Sequence, residues 1–169
     1  MANCVPYTLK VVAKNTNIFQ RLHKILNYKD PEYHIYRVYY ADITDEEDVG
    51  GGYFTCEFVG DVAWGCSPWI NDKENVKDVL EETGSHYTSL THLAEQFGFA
   101  FELYCQDPEM MRQEYWRVNA KGELVDEDGT GDWDEETGEG GLKYYEEFSD
   151  PKEVYELGEG DLKEEGGVK

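Results

Sequence analysis

Two amphipathic helical patterns separated by β-rich segments limit the folds open to this chain. Residues 4–13 carry β-forming side chains at every second position, which predicts a strand. Apolar residues then recur at helical spacing from Ile18 to Leu26, which predicts a helix over about residues 17–28. A second helix is predicted over 89–98, where a serine can cap its start and a glycine can close its end.

The other β-rich segments fall between and after these helices. The order strand, helix, strand, strand, helix, strand, strand is close to the split β-α-β pattern of ferredoxin-like folds. The sequence therefore predicts an α+β fold, with a ferredoxin-like antiparallel sheet, two main helices on one face and an acidic C-terminal extension. We place the domain at 1–125 and the partly ordered extension at 126–169. Further predicted segments are strands at 34–43, 53–60, 99–106 and 113–120, an acidic turn at 44–52, a short helix within 71–86, and a hairpin turn at 120–123 leading into 124–125.

The charge of the chain is its most unusual property. It has 15 Lys plus Arg against 37 Asp plus Glu, a net charge of −22. Residues 121–169 hold 18 of the acidic and 5 of the basic side chains, so more than half of the net charge lies in under a third of the chain. A protein this acidic repels nucleic acid and anionic membranes, and its field attracts basic surfaces.

Motifs for catalysis, cofactors and export are missing from the sequence. The four cysteines contain no C-x-x-C pair, and His86 and His92 are not spaced i, i+4 around a glutamate as in metalloprotease helices. Neither a P-loop nor a dinucleotide glycine fingerprint occurs. No apolar run approaches the roughly 18 residues of a membrane span, and the N-terminus does not resemble a secretory signal. We therefore expect a cytoplasmic, non-enzymatic protein with reduced thiols and no cofactor or metal.

A calcium loop within 126–139 is the first alternative for the acidic extension. Starting an EF-hand loop at Asp126 places Thr137 where the bidentate glutamate belongs. Starting at Asp128 restores Glu139 at that position but puts Trp133 in place of the turn glycine. A regulatory or calcium-responsive protein-binding module stays an alternative function.

Carboxylates that bind a basic protein are the second possibility. Alternate side chains on one face of a strand lie roughly 6.8 Å apart, twice the strand rise, so an ordered carboxylate array can resemble a ladder of phosphates. The alternative is a solvated acidic tail with no binding role, because runs of like charge are usually solvated. Aromatic residues within the run favour a binding surface. The candidate contacts are Asp126, Glu127, Asp128, Asp132, Trp133, Asp134, Glu135, Glu136 and Glu139, with Asp45, Glu46, Glu47 and Asp48 as a second patch.

Four short segments carry a resemblance to a known group of proteins. They are FVGDVAW at 58–64, TSL at 88–90, FELY at 101–104 and QEYW at 113–116. Over about residues 1–120 the chain resembles a family of small ferredoxin-like proteins of phages and mobile elements, and in character it is similar to acidic anti-CRISPR and anti-restriction DNA mimics. The motifs are structural and carry over no catalytic residues.

The resemblance implies a function for the acidic surface. It implies a non-enzymatic, phage-type inhibitor that acts in the host cytoplasm and blocks target DNA binding. The partner would be the basic nucleic-acid-binding groove of a host CRISPR effector or restriction complex. Direct binding to nucleic acid or membrane is not expected.

Overall fold

Nine strands and four helices make up the described part of the chain. The computed structural model describes residues 4–35, 37–63, 65–71, 75–107, 112–132 and 150–156, with side chains described outside 71–76, 106–107, 112–113 and 126–132. In chain order the elements are β1 (Cys4–Ala13), α1 (Asn17–Leu26), β2 (Tyr33–Ile35), β3 (Val38–Gly50), β4 (Tyr53–Ala63), α2 (Ser67–Asn71), β5 (Asn75–Val79), β6 (His86–Thr88), α3 (Leu90–Phe97), β7 (Phe99–Asp107), β8 (Arg112–Val118), β9 (Leu124–Asp132) and α4 (Pro151–Glu156).

The strands form one large and one small sheet. The large sheet has six strands in the order β3-β4-β1-β7-β8-β9, and every neighbouring pair is antiparallel. The small sheet has the order β2-β6-β5, in which β2 and β6 run parallel. The predicted α+β class with an antiparallel sheet is confirmed.

The side chains of strand β1 point alternately to the two faces of the large sheet. Val5, Tyr7, Leu9 and Val11 are all buried, because they point to the face that holds the main core. Helices α1 and α3 add Phe19, Leu22, Leu90 and Leu93, among others, to the same core, which places both helices on that first face. The intervening residues of β1 point to the opposite, second face, as the two-residue period of a strand requires.

The second face is covered at one end by α4. Val154 of this helix is buried in a small cluster with Val12 of β1, Ala100 of β7 and Tyr53 of β4. The helix starts at Asp150-Pro151, where the Asp150 carboxylate accepts a hydrogen bond from the Lys152 amide at 2.9 Å. Proline after a capping residue is a common helix start, so this helix had a sequence signal that the predictions did not use.

A close approach between β3 and β4 depends on Gly60. A methyl group at this residue would lie 2.1 Å from the Tyr40 carbonyl oxygen and 3.0 Å from the Tyr7 hydroxyl oxygen. The Tyr7 hydroxyl donates a hydrogen bond to that same carbonyl at 3.0 Å. The missing side chain therefore lets a core tyrosine reach the backbone of the edge strand.

Two sequence predictions in the first half of the chain are wrong. The predicted acidic turn at 44–52 is mostly strand, since β3 continues to Gly50 and the turn consists of Gly51 and Gly52. The predicted strand 34–43 is two strands, because the backbone changes direction at Arg37, which has a positive φ of 66°. Its first part belongs to β2 in the small sheet, and its second part belongs to β3 in the large one.

The predicted short helix within 71–86 is also wrong. The structure has strand β5 there, paired with β6, and α2 precedes it at Ser67–Asn71. The helical spacing of Val76, Val79 and Leu80 covers little more than one turn, and β-branched valines suit a strand at least as well.

Strand β9 is longer than the two residues predicted for it. The hairpin turn at 120–123 is confirmed, but β9 then pairs with β8 as far as Asp132 opposite Arg112. The strand therefore crosses the predicted boundary between 125 and 126, and α4 also lies within the predicted extension.

In the described part of the chain, no helix has the length and apolarity that crossing a bilayer requires.

We predict that Gly60→Ala strongly destabilises the fold, by about 3 kcal/mol or more, because the added methyl group would lie only 2.1 Å from the Tyr40 carbonyl oxygen, which also accepts the Tyr7 hydrogen bond. Urea unfolding followed by circular dichroism measures the change. Val59→Ala, one residue earlier on the half-exposed second face, is the control and should cost less than about 1 kcal/mol. A variant at Gly60 as stable as this control would contradict the prediction.

Candidate functional site

The hairpin of β3 and β4, here called the acidic ribbon, is the most distinctive described surface. It spans Val38–Ala63 and turns at Gly51 and Gly52, whose φ values are 66° and 85°. Positive φ at both central residues is typical of the tight turns that match the twist of paired strands. Together β1, β3 and β4 hold seven carboxylates and one basic residue, Lys10.

Four of these carboxylates form a zigzag on the second face. Asp61 and Glu57 lie on β4, and Asp42 and Glu47 lie on β3, each one step diagonally from the next in the pairing register. Diagonal neighbours in an antiparallel pair are about 7–8 Å apart. Along the ribbon the charges advance by roughly 6.6 Å each, about two phosphate rises of a DNA strand. The order Asp61, Asp42, Glu57, Glu47 thus advances along the ribbon at a step that is a simple multiple of the axial rise of DNA phosphates.

A bulge turns further carboxylates outward near the tip of the ribbon. The pairing of β3 with β4 skips one residue between Thr44 and Glu47, and Asp45 in this bulge has a positive φ of 42°. Asp45, Glu46, Glu47 and Asp48 are all exposed. Because bulges twist a strand and redirect its side chains, this acidic run does not alternate strictly between the two faces.

The negative charge of the ribbon raises the pKa of several of its side chains. Burial raises the pKa of Glu57, and the nearby carboxylates of Asp45 and Glu47 raise it further against the opposing effect of Lys10. The charge of Asp61 raises the pKa of the Tyr40 phenol. Burial, followed by the charges of Glu46, Glu57 and Asp45, raises the pKa of the Cys56 thiol to about 12. The carboxylates therefore repel one another, and a basic partner would relieve that repulsion.

The backbone of the ribbon's outer edge is closed at one point by a side chain. The Asn27 amide donates to the Ala41 carbonyl at 2.8 Å and accepts from the Ala41 amide at 3.1 Å. Asn27 follows α1, so the helix holds it against the edge strand. Both backbone groups of Ala41 are therefore already hydrogen-bonded, and neither is open to pair with another strand.

Two exposed tyrosines border the acidic positions. Tyr39 is 53% exposed and Tyr40 is 43% exposed, unlike the buried aromatic residues of the core. Tyrosine is enriched in protein interfaces, because it joins a large apolar ring to a polar end. The ribbon therefore combines charge with aromatic contact area.

The two predicted acidic patches lie at opposite edges of the large sheet. Asp45, Glu46, Glu47 and Asp48 are on β3, whereas Asp126, Glu127, Asp128 and Asp132 are on β9, where only their backbone is described. Five strand spacings of about 4.8 Å separate these edges by roughly 24 Å. Trp133, Asp134, Glu135, Glu136 and Glu139 lie outside the described residues.

The sequence predictions missed three members of the zigzag. Asp42, Glu57 and Asp61 are single carboxylates within strands, whereas the predictions relied on runs of acidic residues. A period-two reading of 53–61 could have found Glu57 and Asp61, which share one face at a spacing of four. Their proximity to Asp42 depends on the β3–β4 register, which the sequence does not give.

The metal and calcium alternatives find no support in the described geometry. The backbone from Asp126 to Asp132 is an extended strand paired with β8, whereas an EF-hand loop wraps around its ion. Among the described residues, no group of three or more potential ligands is placed to hold a metal.

A histidine–serine contact joins β2 of the small sheet to the residue that precedes β6. His34 Nδ1 lies 3.2 Å from the Ser85 hydroxyl, which lies 2.7 Å from the Thr83 hydroxyl. Ser85 is fully buried and His34 nearly so, so a substrate has no access to either. Burial lowers the pKa of His34, partly against the charge of Asp78. The contact fits a neutral histidine that holds the small sheet together.

The chain matches no protein-family model, no curated protein and no solved structure. The resemblance to ferredoxin-like proteins of phages and mobile elements is therefore still a prediction, and the candidate site rests on the geometry of the ribbon.

We predict that Glu57→Gln stabilises the protein at neutral pH. The pKa of Glu57 is raised, so its ionised form destabilises the folded state once the pH exceeds that pKa, and the neutral amide removes this cost. The melting temperature should rise by about 1–2 °C. Glu81→Gln, an exposed site in the turn after β5, is the matched control. An unchanged or lower melting temperature for Glu57→Gln would contradict the raised pKa.

We predict that His34 makes the protein less stable as the pH falls below about 6.5. Its pKa is lowered in the folded state, so the unfolded chain binds the proton first and gains from it. Melting temperatures measured from pH 7.5 to 5 should fall more steeply for the wild type than for His34→Gln. Parallel profiles for the two proteins would show that His34 contributes nothing to the pH dependence.

Proposed function

We propose that this chain is a non-enzymatic, phage-type inhibitor that binds the basic nucleic-acid-binding groove of a host CRISPR effector or restriction complex and blocks its target DNA. The carboxylate zigzag of the acidic ribbon carries the proposal. It would act in the cytoplasm of the host cell, as an acidic surface that occupies the sites of phosphates.

The physical basis is complementarity of charge and spacing. A groove that binds DNA places lysine and arginine against successive phosphates and releases counterions when it does so. Asp61, Asp42, Glu57 and Glu47 advance along the ribbon at about two phosphate rises. Long-range attraction by a net charge of −22 would speed the encounter.

We also propose that the fold is ferredoxin-like, as the sequence pattern predicts. The succession β1, α1, β3, β4, α3, β7 follows the β-α-β-β-α-β pattern, and those four strands are neighbours in the order β3-β4-β1-β7. Strands β8 and β9 would then be additions at the β7 edge. The proposal places the ribbon where the second and third strands of that pattern form a hairpin.

The acidic residues of β9 and those that follow it keep their place in the proposal as second contacts. Asp126, Glu127, Asp128 and Asp132 would offer a further acidic strand at the other sheet edge, and Trp133, Asp134, Glu135, Glu136 and Glu139, which follow in the sequence, would add further contacts. A groove that contacted both edges would have to reach across the six strands. The ribbon is the first-choice surface, because its strand register supports the charge spacing.

We predict that reversing four ribbon charges strongly weakens inhibition. The variant changes Asp42, Glu46, Glu47 and Asp48, all exposed, to lysine. Because like charges then face a basic groove, the concentration for half-inhibition of DNA cleavage should rise by about tenfold or more. The assay uses a purified CRISPR effector or restriction enzyme that the wild-type chain inhibits, and a mobility-shift assay with the same enzyme reports whether target DNA still binds.

The matched control reverses the same amount of charge elsewhere. Asp134, Glu135, Glu136 and Glu139 are changed to lysine, so both variants have the same net charge. Loss of inhibition in the ribbon variant alone assigns the site to the ribbon, and loss in the control alone assigns it to the extension. Full inhibition by both variants, or no effect of the wild type on any such enzyme, refutes the proposal.

A further inference from the structure

Helix α4 is attached to the second face of the large sheet by few apolar contacts. Of its six residues, Val154 alone is buried, in a small cluster with Val12, Tyr53 and Ala100. This cluster is separate from the main core, which α1 and α3 share. A segment held by so few buried contacts opens at a lower free energy than the core of the same protein.

Two hydrogen bonds of Tyr155 join α4 to distant parts of the chain. Its hydroxyl donates to the Gly98 carbonyl at 3.1 Å, and Gly98 is the left-handed residue that ends α3. Its own carbonyl accepts a hydrogen bond from the Ala120 amide at 3.3 Å, in the turn between β8 and β9. Because both partners are remote in sequence, these bonds exist only while α4 lies on the sheet.

A third set of contacts joins α4 to the acidic ribbon. Tyr53 is the first residue of β4 and directly follows the glycine turn of the ribbon. Its hydroxyl donates to the Glu156 carboxylate, and its ring centroid lies 5.3 Å from that of Tyr155. The Lys14 ammonium lies 5.4 Å from the centroid of the Tyr53 ring and 5.3 Å from that of the Tyr155 ring, so one cation contacts both rings.

The turn that precedes Tyr53 has little rigidity of its own. Gly50, Gly51 and Gly52 have positive φ values of 85°, 66° and 85° and are all exposed. Glycine loses more conformational freedom than any other residue when it is ordered. A contact that fixes the residue after these glycines therefore restricts the turn as well.

We propose that α4 is a strap with a docked and an open state, and that docking orders the turn of the acidic ribbon. In the open state the contacts of Val154, Tyr155 and Glu156 are broken, while the large sheet keeps its main core on the other face. The inference goes beyond the proposed function and does not depend on it, because it concerns the shape of the ribbon whether or not a basic protein binds there.

Native-state hydrogen exchange of the full chain, followed by NMR, tests whether the strap opens separately. The Ala120 amide reports docking, because its hydrogen bond goes to Tyr155 of α4. The amides of Leu9 and Val11 report the sheet, because β1 is paired on both sides there. The protection factor of Ala120 should be lower than theirs by about tenfold or more. Equal protection overturns the proposal, since α4 would then open only together with the sheet.

Val154→Ala tests the link to the ribbon, because it removes the apolar anchor of the strap and keeps a good helix former in place. The protection factor of Ala120 should fall by about fivefold or more, while the two β1 amides stay unchanged. The NMR order parameters of the turn glycine amides should fall as well. Val79→Ala is the control, because Val79 is a 50% exposed valine on β5 of the small sheet, and it should alter none of these values.

Two results for Val154→Ala overturn the proposal. Equal acceleration of exchange at Ala120 and in β1 would make α4 part of one cooperative unit with the sheet. Faster exchange at Ala120 with unchanged order parameters in the turn would show that docking does not order the ribbon. If Val154→Ala does not fold, Lys14→Met replaces it, since it removes the cation from the two rings and keeps an apolar stem. It should lower the protection factor of Ala120 by about two- to fivefold, and the same two results overturn the proposal.

Discussion

Strand β1 is the element on which the rest of the structure depends. It pairs with β4 along all ten residues and with β7 along seven, so it fixes the register of both halves of the large sheet. Its buried residues, such as Leu9 and Val11, hold α1 and α3 on one face. Lys10 and its neighbours on the other face then stand in line with residues of β4 and β7. The positions of the ribbon carboxylates follow from that register.

The contact between Tyr7 and the backbone at Gly60 and Tyr40 fixes the edge strand β3 relative to the core. Tyr7 points into the core, yet its hydroxyl reaches the Tyr40 carbonyl because Gly60 has no side chain. Core packing and edge position are thereby linked through one hydrogen bond. Asn27 adds a second link, from the end of α1 to Ala41. These two polar contacts thus align β3 with the core, to which Val38 and Ala41 of the strand contribute.

Periodic patterns predicted the elements that pack against the core, and they did so for a physical reason. Strand β1 and helix α3 each bury one regular face, so their sequences show periods of two and 3.6 residues. The edge strand β3 buries little beyond its start, so its acidic half has no two-residue hydrophobic period and the sequence predicts a turn there. The prediction of a helix within 71–86 was wrong for a similar reason, because β5 is short and polar and pairs with the three-residue strand β6.

The candidate site was only partly accessible to sequence reasoning. Runs of acidic residues are visible in one dimension, and Glu47 was found in that way. The zigzag that includes Asp42, Glu57 and Asp61 comes from two strands in one register, including a bulge, so its spacing exists only in three dimensions. Net charge indicated what class of partner to expect, whereas strand pairing supplied the geometry.

The Asn27 contact has a consequence for how copies of this chain behave together. An open strand edge is a template on which a second molecule can add its own strand, and long edges invite filaments. On β3 the Ala41 groups are already bonded, and the bulges at Thr44–Glu47 and Asp48–Gly50 interrupt any regular ladder. Mutual repulsion between acidic edges acts in the same direction. The surface that would attract a basic protein is thus one on which the chain resists polymerising with itself.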